Sequence, residues 1–188
     1  MRVTGGTYGG RRIETPPGEI RPAMDRMRES VFSILGSALG GLDGLTVVDL
    51  FSGSGSMALE ALSRGAAYAV LVERDRRKAP VIRKNLSYVE AERWKLVVAP
   101  AERYLARAGD SGPPFDLVFC DPPFRYPGKD KLLAAIATAG LVSPAGTVVI
   151  HFPQEDDLEA PVPGLELKDR RTYGRSVVQL YTPARHAR

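Results

Sequence analysis

Asp121-Pro122-Pro123-Phe124 follows directly on the apolar run Phe115–Cys120, where a buried strand of an α/β sheet would end. Strand ends are where such sheets place their chemistry. The four residues make a stiff loop that offers a carboxylate, a carbonyl with no neighbouring N–H, and a flat ring. Those groups suit a planar base bearing an exocyclic amine. Asp121 and the Pro122 carbonyl can each accept one amine N–H while Phe124 stacks on the ring face. A nitrogen gripped in this way could act as a nucleophile. Taken alone, the tetrapeptide fits equally well a rigid turn that closes a strand.

A second set of residues shows what such an amine could react with. Val47-Val48-Asp49-Leu50 runs into Phe51-Ser52-Gly53-Ser54-Gly55-Ser56-Met57-Ala58, which reads as a strand, a glycine turn and the start of a helix. Gly53, Gly55 and Ala58 satisfy the dinucleotide fingerprint, and Glu73 stands twenty residues beyond Gly53, at the end of the next strand. A nicotinamide or flavin cofactor is therefore one reading. Physically, the glycines bring a backbone turn close to a ligand and the acid accepts ribose hydroxyls, and neither feature requires a pyrophosphate. Asp49 stands at the last core position of the first strand. A carboxylate there suits a cationic amine better than a phosphate, or it anchors the loop through hydrogen bonds.

The elements that must position these residues follow from periodicity. Apolar residues from Met24 to about Leu39 recur at helical spacing. A strand–helix alternation then runs from Leu45 to Phe152, which predicts a mostly parallel sheet covered on both faces. Leu165 to Arg171 and Ser176 to Tyr181 flank Tyr173-Gly174 and predict an antiparallel C-terminal hairpin on that sheet. Residues 1–22 read as a Gly- and Arg-rich hairpin or arm, broken off by Pro16-Pro17-Gly18, and 23–188 as a single domain. In the arm, Arg2, Arg11 and Arg12 are interleaved with Gly5-Gly6, Tyr8 and Gly9-Gly10. That pattern suggests backbone close to a phosphate chain and a stacking face on Tyr8.

Composition narrows the classes. At 188 residues, 44% hydrophobic and 26% charged, the chain fits one ordinary globular domain. A single Cys and two His leave no internal disulfide and no cluster at metal-ligand spacing. No charged-then-apolar signal opens the chain and no apolar run approaches membrane length, so a cytoplasmic protein is expected. A net charge of +4 permits an anionic partner without demanding one. The run Arg74, Arg76, Arg77, Lys78, Arg83 and Lys84 reads as a solvated helix face. Cys120 reads as a buried core thiol and His151, at a strand end near the cleft, as a structural histidine.

Asp49-x-Phe51-x-Gly53-x-Gly55 followed by Asp121-Pro122-Pro123-Phe124 resembles the S-adenosylmethionine-dependent class I methyltransferases that act on exocyclic amines. Gly5-Gly6-x-x-Gly9-Gly10-Arg11, Arg21-Pro22-x-x-Asp25-Arg26-x-Arg28-Glu29 and Leu59-Glu60-Ala61-Leu62-Ser63-Arg64-Gly65 resemble the bacterial RsmD family, which methylates N2 of a guanine in 16S ribosomal RNA. The resemblance implies a Rossmann-like seven-stranded sheet with an N-terminal RNA-binding arm. It also implies S-adenosylmethionine as cofactor, held by Asp49, Phe51, Gly53, Gly55, Glu73 and the backbone of Ala101. Asp121, Pro122 and Phe124 are then the catalytic residues, and Arg2, Arg11, Arg12, Arg21, Arg26 and Arg28 hold the RNA. A monomer acting on 16S rRNA, in some cases within a partly assembled small subunit, is the implied partner arrangement, with no metal and no membrane. Two alternatives stay open: the same chemistry on a DNA adenine or cytosine or on a protein glutamine, and a nicotinamide-dependent oxidoreductase. The oxidoreductase leaves the Asp121 loop without a role, and a noncatalytic RNA-binding module leaves both pockets without one.

Overall fold

Short β-branched runs such as Thr46-Val47-Val48 and Val70-Leu71-Val72, apolar at successive positions, favour strands covered on both faces. A computed structural model describes residues 1–15, 22–108, 112–156, 158 and 161–184, and in it these runs form one seven-stranded sheet. The strands are β1 (Thr46–Leu50), β2 (Tyr68–Glu73), β3 (Trp94–Val98), β4 (Phe115–Cys120), β5 (Val142–Pro153), β6 (Leu165–Tyr173) and β7 (Ser176–Pro183). Their order is β3-β2-β1-β4-β5-β7-β6. Neighbours from β3 to β5 pair in parallel, and β7 pairs antiparallel with both β5 and β6, so the predicted α/β architecture and C-terminal hairpin are observed.

The helices are α1 (Pro22–Leu39), α2 (Ser56–Ser63), α3 (Ala79–Asn85), α4 (Ala101–Leu105) and α5 (Lys129–Thr138). Alternation along each strand divides the core in two. Val47, Leu71, Leu117, Phe119 and Val149 face a cluster built from α1, α2 and α3, whereas Val48, Val70, Val118 and Ile150 face α4 and α5. β5 begins at Val142, four residues before the start at Gly146 that the sequence predicts, with a register irregularity opposite Phe115 and Leu117. Ser143-Pro144-Ala145-Gly146 fall within that irregularity, between the pairs Phe115–Val142 and Leu117–Thr147, and Ser143 Oγ donates to Asp116 at 3.3 Å.

Residues 1–15 fold back on the α1–α3 face. Val3 and Ile13 are buried in its core, and a bridge pairs Arg2 with Arg12. The anchor is Glu60 on α2, whose side chain is fully buried. Its carboxylate accepts from the Thr4 N–H at 2.9 Å, the Thr4 hydroxyl at 2.6 Å, Arg28 Nε at 3.2 Å and Arg64 Nε at 2.9 Å. Arg28 in turn pairs with Asp25 at 2.9 Å and donates to the Arg2 carbonyl. Asn85 completes the attachment by accepting from the Glu14 N–H and donating to the carbonyls of Glu14 and Ser54, each at 2.9 Å.

These contacts correct three readings of the arm. Arg28, assigned to RNA, is 2% exposed, and its guanidinium is committed to Asp25, Glu60 and the arm backbone. Tyr8 turns its ring inward, edge-on to Tyr88 at 5.1 Å, and offers no stacking face. The glycine pair Gly5-Gly6 is needed by α2: a Cβ on Gly6, at φ +74°, would lie 1.8 Å from the Ser63 carbonyl oxygen. Arg21 lies outside the described residues.

Removing the anchor leaves Arg28 buried without its main counter-charge. Glu60→Ala is expected to lower unfolding free energy by about 3–5 kcal/mol in urea denaturation. Amide exchange of residues 1–15 should rise with it.

Candidate active site

β1 lies between β2 and β4, so the turns leaving these three parallel strands converge at one sheet edge. They border a cleft of about 370 Å³ lined by Phe51, Gly53, Glu73, Asp121, Pro122 and Phe124 among others. Met1 and Thr15, both from the arm, also line it. The structure thus brings together most of the residues expected to bind cofactor and substrate. Asp49, Gly55 and Ala101 do not line the cleft. Gly55, at φ +79°, is demanded by packing, because a Cβ there would meet Leu71 at 2.9 Å and Leu86 at 3.3 Å. Ala101 is buried at the start of α4.

The glycine turn is stapled to the end of β2. Ser52 N–H donates to the Val72 carbonyl at 3.0 Å, and its hydroxyl donates to the Asp49 carbonyl at 2.7 Å. Glu73 accepts from the Gly53 N–H at 2.9 Å and the Asp75 N–H at 2.8 Å, which fixes its carboxylate at the cleft wall with lone pairs to spare. Phe51 takes φ +67°, a left-handed conformation that costs an aromatic residue about 1–3 kcal/mol. Its ring lies edge-on to Tyr126 at 5.4 Å and lines the cleft.

Asp49 is 1% exposed. One oxygen accepts from the Ala58 N–H in the first turn of α2 at 3.4 Å, and the other, Oδ1, has no hydrogen-bond partner. Burial pushes this carboxyl up to about 8, against the pull of the Ala58 N–H, with the nearby charges of Asp121 and Glu73 adding to the rise. A buried acceptor surrounded by other acids is a place for a cation.

The Asp121 loop is held from behind by a residue that the sequence alone does not single out. Lys129 is buried, and its ammonium donates to the carbonyls of Phe124 at 3.1 Å and Tyr126 at 3.0 Å while pairing with Asp156 at 2.6 Å. Pro122 is buried and Phe124 is 39% exposed at the rim. His151 also lines the cleft, with Nδ1 2.8 Å from Asp121 Oδ1. Cys120 is buried, and burial together with the neighbouring Asp121 and Asp49 pushes its thiol up, so it supplies no thiolate nucleophile. No group of three or more metal-binding side chains occurs among the described residues, and none of their helices is long and apolar enough to cross a membrane.

The family model described as Conserved hypothetical protein 95 matches residues 1–182. The chain belongs to this family, the RsmD family of the sequence resemblance. Ribosomal RNA small subunit methyltransferase D of Escherichia coli strain K12 is 32% identical over 183 residues, covering 96% of this chain and 89% of that one. Among solved structures, yhhF from Escherichia coli superposes with a TM-score of 0.84 at 28% identity over 99% of both chains. SMU.776, solved complexed with SAH, shares the fold at a TM-score of 0.69 and 16% identity, over 86% of this chain and 50% of that one. The family and the fold are those of methyltransferases.

Asp49 has a direct consequence for stability. Its folded-state value near 8 lies above the ordinary 3.8, so its contribution is fully present below about pH 4 and is lost as pH rises towards 8. Asp49→Asn should therefore raise the Tm of the ligand-free protein more at pH 8.5 than at pH 4.5. The stability difference at the higher pH should reach a few kcal/mol, at about 1.4 kcal/mol per unit. Thermal melts at the two pH values measure it.

Proposed function

We propose that this chain methylates the exocyclic N2 amine of a guanine in 16S ribosomal RNA, using S-adenosylmethionine. The observation that carries the reading is that one cleft holds two complementary half-sites. Gly53 and Glu73, after β1 and β2, line one half, Asp121, Pro122 and the exposed Phe124 ring, after β4, line the other, and Asp49 with its partnerless oxygen is buried near the end of β1, the strand between β2 and β4. The name of the 32% identical E. coli relative supports RNA as substrate. The fold shared with an SAH-bound protein supports the cofactor.

The residues present fit this cofactor. Asp49, whose Oδ1 lacks a partner, would hold its ammonium. Glu73 would accept from its ribose hydroxyls, Gly53 would let the backbone approach, and Phe51 would pack along it. When bound, S-adenosylmethionine supplies an electrophilic methyl group on a sulfonium.

The protein's own part is to position the amine. A guanine splayed out of its RNA loop enters the cleft and stacks on Phe124, since a base edge inside a helix cannot reach the donor in line. Its N2 lone pair is delocalised into the ring. Hydrogen bonds from N2 to Asp121 and to the Pro122 carbonyl favour the pyramidal nitrogen of the transition state over the flat ground state. Asp121 serves as an acceptor that aims the amine and takes its proton late, because N2 becomes acidic only as the new bond forms. Lys129 keeps the loop in place during this change.

In this reading residues 1–22 are the RNA-contacting arm, 23–188 the catalytic domain, and the protein works as a cytoplasmic monomer on rRNA or on a partly assembled small subunit. Arg2, Arg11, Arg12 and Arg26 are exposed, and Arg11 lies over the Tyr88 ring at 4.2 Å. Arg21 completes the proposed set.

The deciding experiment is methylation of ribosomal RNA from a strain lacking the protein, with the modified nucleotide mapped by mass spectrometry. N2-methylguanine at one position is the expected product, and no methylated amine would refute the reading. Asp121→Ala should reduce turnover at least a thousandfold, about 4 kcal/mol of barrier, while calorimetry finds SAH binding within about twofold of wild type. A nicotinamide enzyme would bind NAD in the same calorimeter and not SAH. Replacing Arg11, Arg12 and Arg26 together by Ala should weaken RNA binding. It should also flatten the dependence of log K on log salt by about 0.7–0.9 for each phosphate that the variant no longer neutralises. Arg28→Ala should lower stability and leave that slope unchanged.

A further inference from the structure

The sequence reads His151 as a satisfied structural histidine, yet in the fold it is only half satisfied. In the parallel pairing of β4 with β5, Cys120 lies opposite Ile150, so Asp121, the first residue beyond β4, stands beside His151, which is still within β5. His151 Nδ1 lies 2.8 Å from Asp121 Oδ1. The imidazole is 10% exposed and the Asp121 side chain 37%, and both border the cleft. Nε2 is buried with no hydrogen-bond partner. The ring also meets Phe124 edge-on, with centroids 6.1 Å apart.

A carboxylate only accepts, so Nδ1 must carry the hydrogen of this bond. In a neutral ring Nε2 then carries a lone pair and needs no acceptor, so the carboxylate sets the tautomer and leaves no buried N–H without a partner. Asp121 then has one oxygen committed to the protein and one left for a ligand.

On the reading of the cleft as an amine methyltransferase site, we propose that His151 is a positioning residue for Asp121. Its Nδ1–H pins Oδ1, so that Oδ2 and the Pro122 carbonyl remain as the two acceptors for the two hydrogens of the amine. It also keeps Asp121 from rotating to offer both oxygens to one N–H. No proton needs to pass through the imidazole.

Two substitutions separate this role from packing. His151→Asn places a side-chain N–H where Nδ1–H stands but loses the ring against Phe124, while His151→Phe keeps a ring and loses the donor. With RNA methylation as readout, the Asn variant should retain kcat within about fivefold. The Phe variant should lose about 10- to 100-fold in kcat, with KM for RNA and SAH affinity within about twofold of wild type. The opposite ranking, or equal activity in both, overturns the proposal.

A second measurement does not depend on turnover. The chain has two histidines, so ¹⁵N-histidine NMR of wild type and of His151→Asn assigns the His151 signals by difference. The Nδ1-protonated tautomer should be seen in wild type and should give way to a mixture in Asp121→Ala. An Nε2-protonated ring in wild type would also overturn the proposal. If wild-type protein methylates no amine, the proposed function falls, while the NMR result still decides the His151–Asp121 bond.

Discussion

The pairing of β1 with β2 on one side and β4 on the other is the constraint from which the cleft follows. Parallel strands in register end together, so three acids from distant parts of the chain, Asp49, Glu73 and Asp121, are brought to one edge of the sheet. Carboxylates gathered in this way repel one another and lose water. The fold accommodates Glu73 with two backbone N–H groups, Asp121 with His151, and Asp49 with one N–H and a raised proton affinity. The free protein therefore carries an electrostatic deficit that a cationic ligand relieves.

Around Glu60 the same problem is solved differently. Here the buried carboxylate receives two cations and two hydrogen bonds from the arm, and the network is complete without a ligand. The contrast between the two sites is instructive, since both are fully buried acids on the α1–α3 side of the sheet. The one with all its partners inside the protein holds the structure together, and the one with an oxygen left over marks the place where something else binds.

Much of this is legible in the sequence where the signal is local. The strand–glycine–helix unit around Asp49 to Ala58, the loop at Asp121 and the C-terminal hairpin each sit within a short window, and each lies where its residues predict. What the sequence hides depends on pairs far apart in the chain. Thr4 and Glu60 are 56 residues apart, Asp121 and His151 are 30 apart, and Lys129 serves a loop that shows no trace of needing it. Gly5-Gly6 and Arg28 look like RNA-binding features because glycine and arginine serve tight packing and phosphate contact with the same chemistry. Only the position of α2 separates the two uses. His151 has no local signal: only the register of β4 with β5, Cys120 opposite Ile150, places it beside Asp121.

α2 begins at the glycine turn that walls the cleft and carries Glu60 and Ser63, the two side chains that grip residues 4–8 of the arm. Both tasks fall within one helix of eight residues, about 12 Å long. A helix of that length cannot bend or stretch appreciably, so it works as a ruler that holds the gripped part of the arm at a fixed offset from the cleft. On the proposed function, which nucleotide reaches the cleft would be decided by that length in the protein as much as by the chemistry of the base.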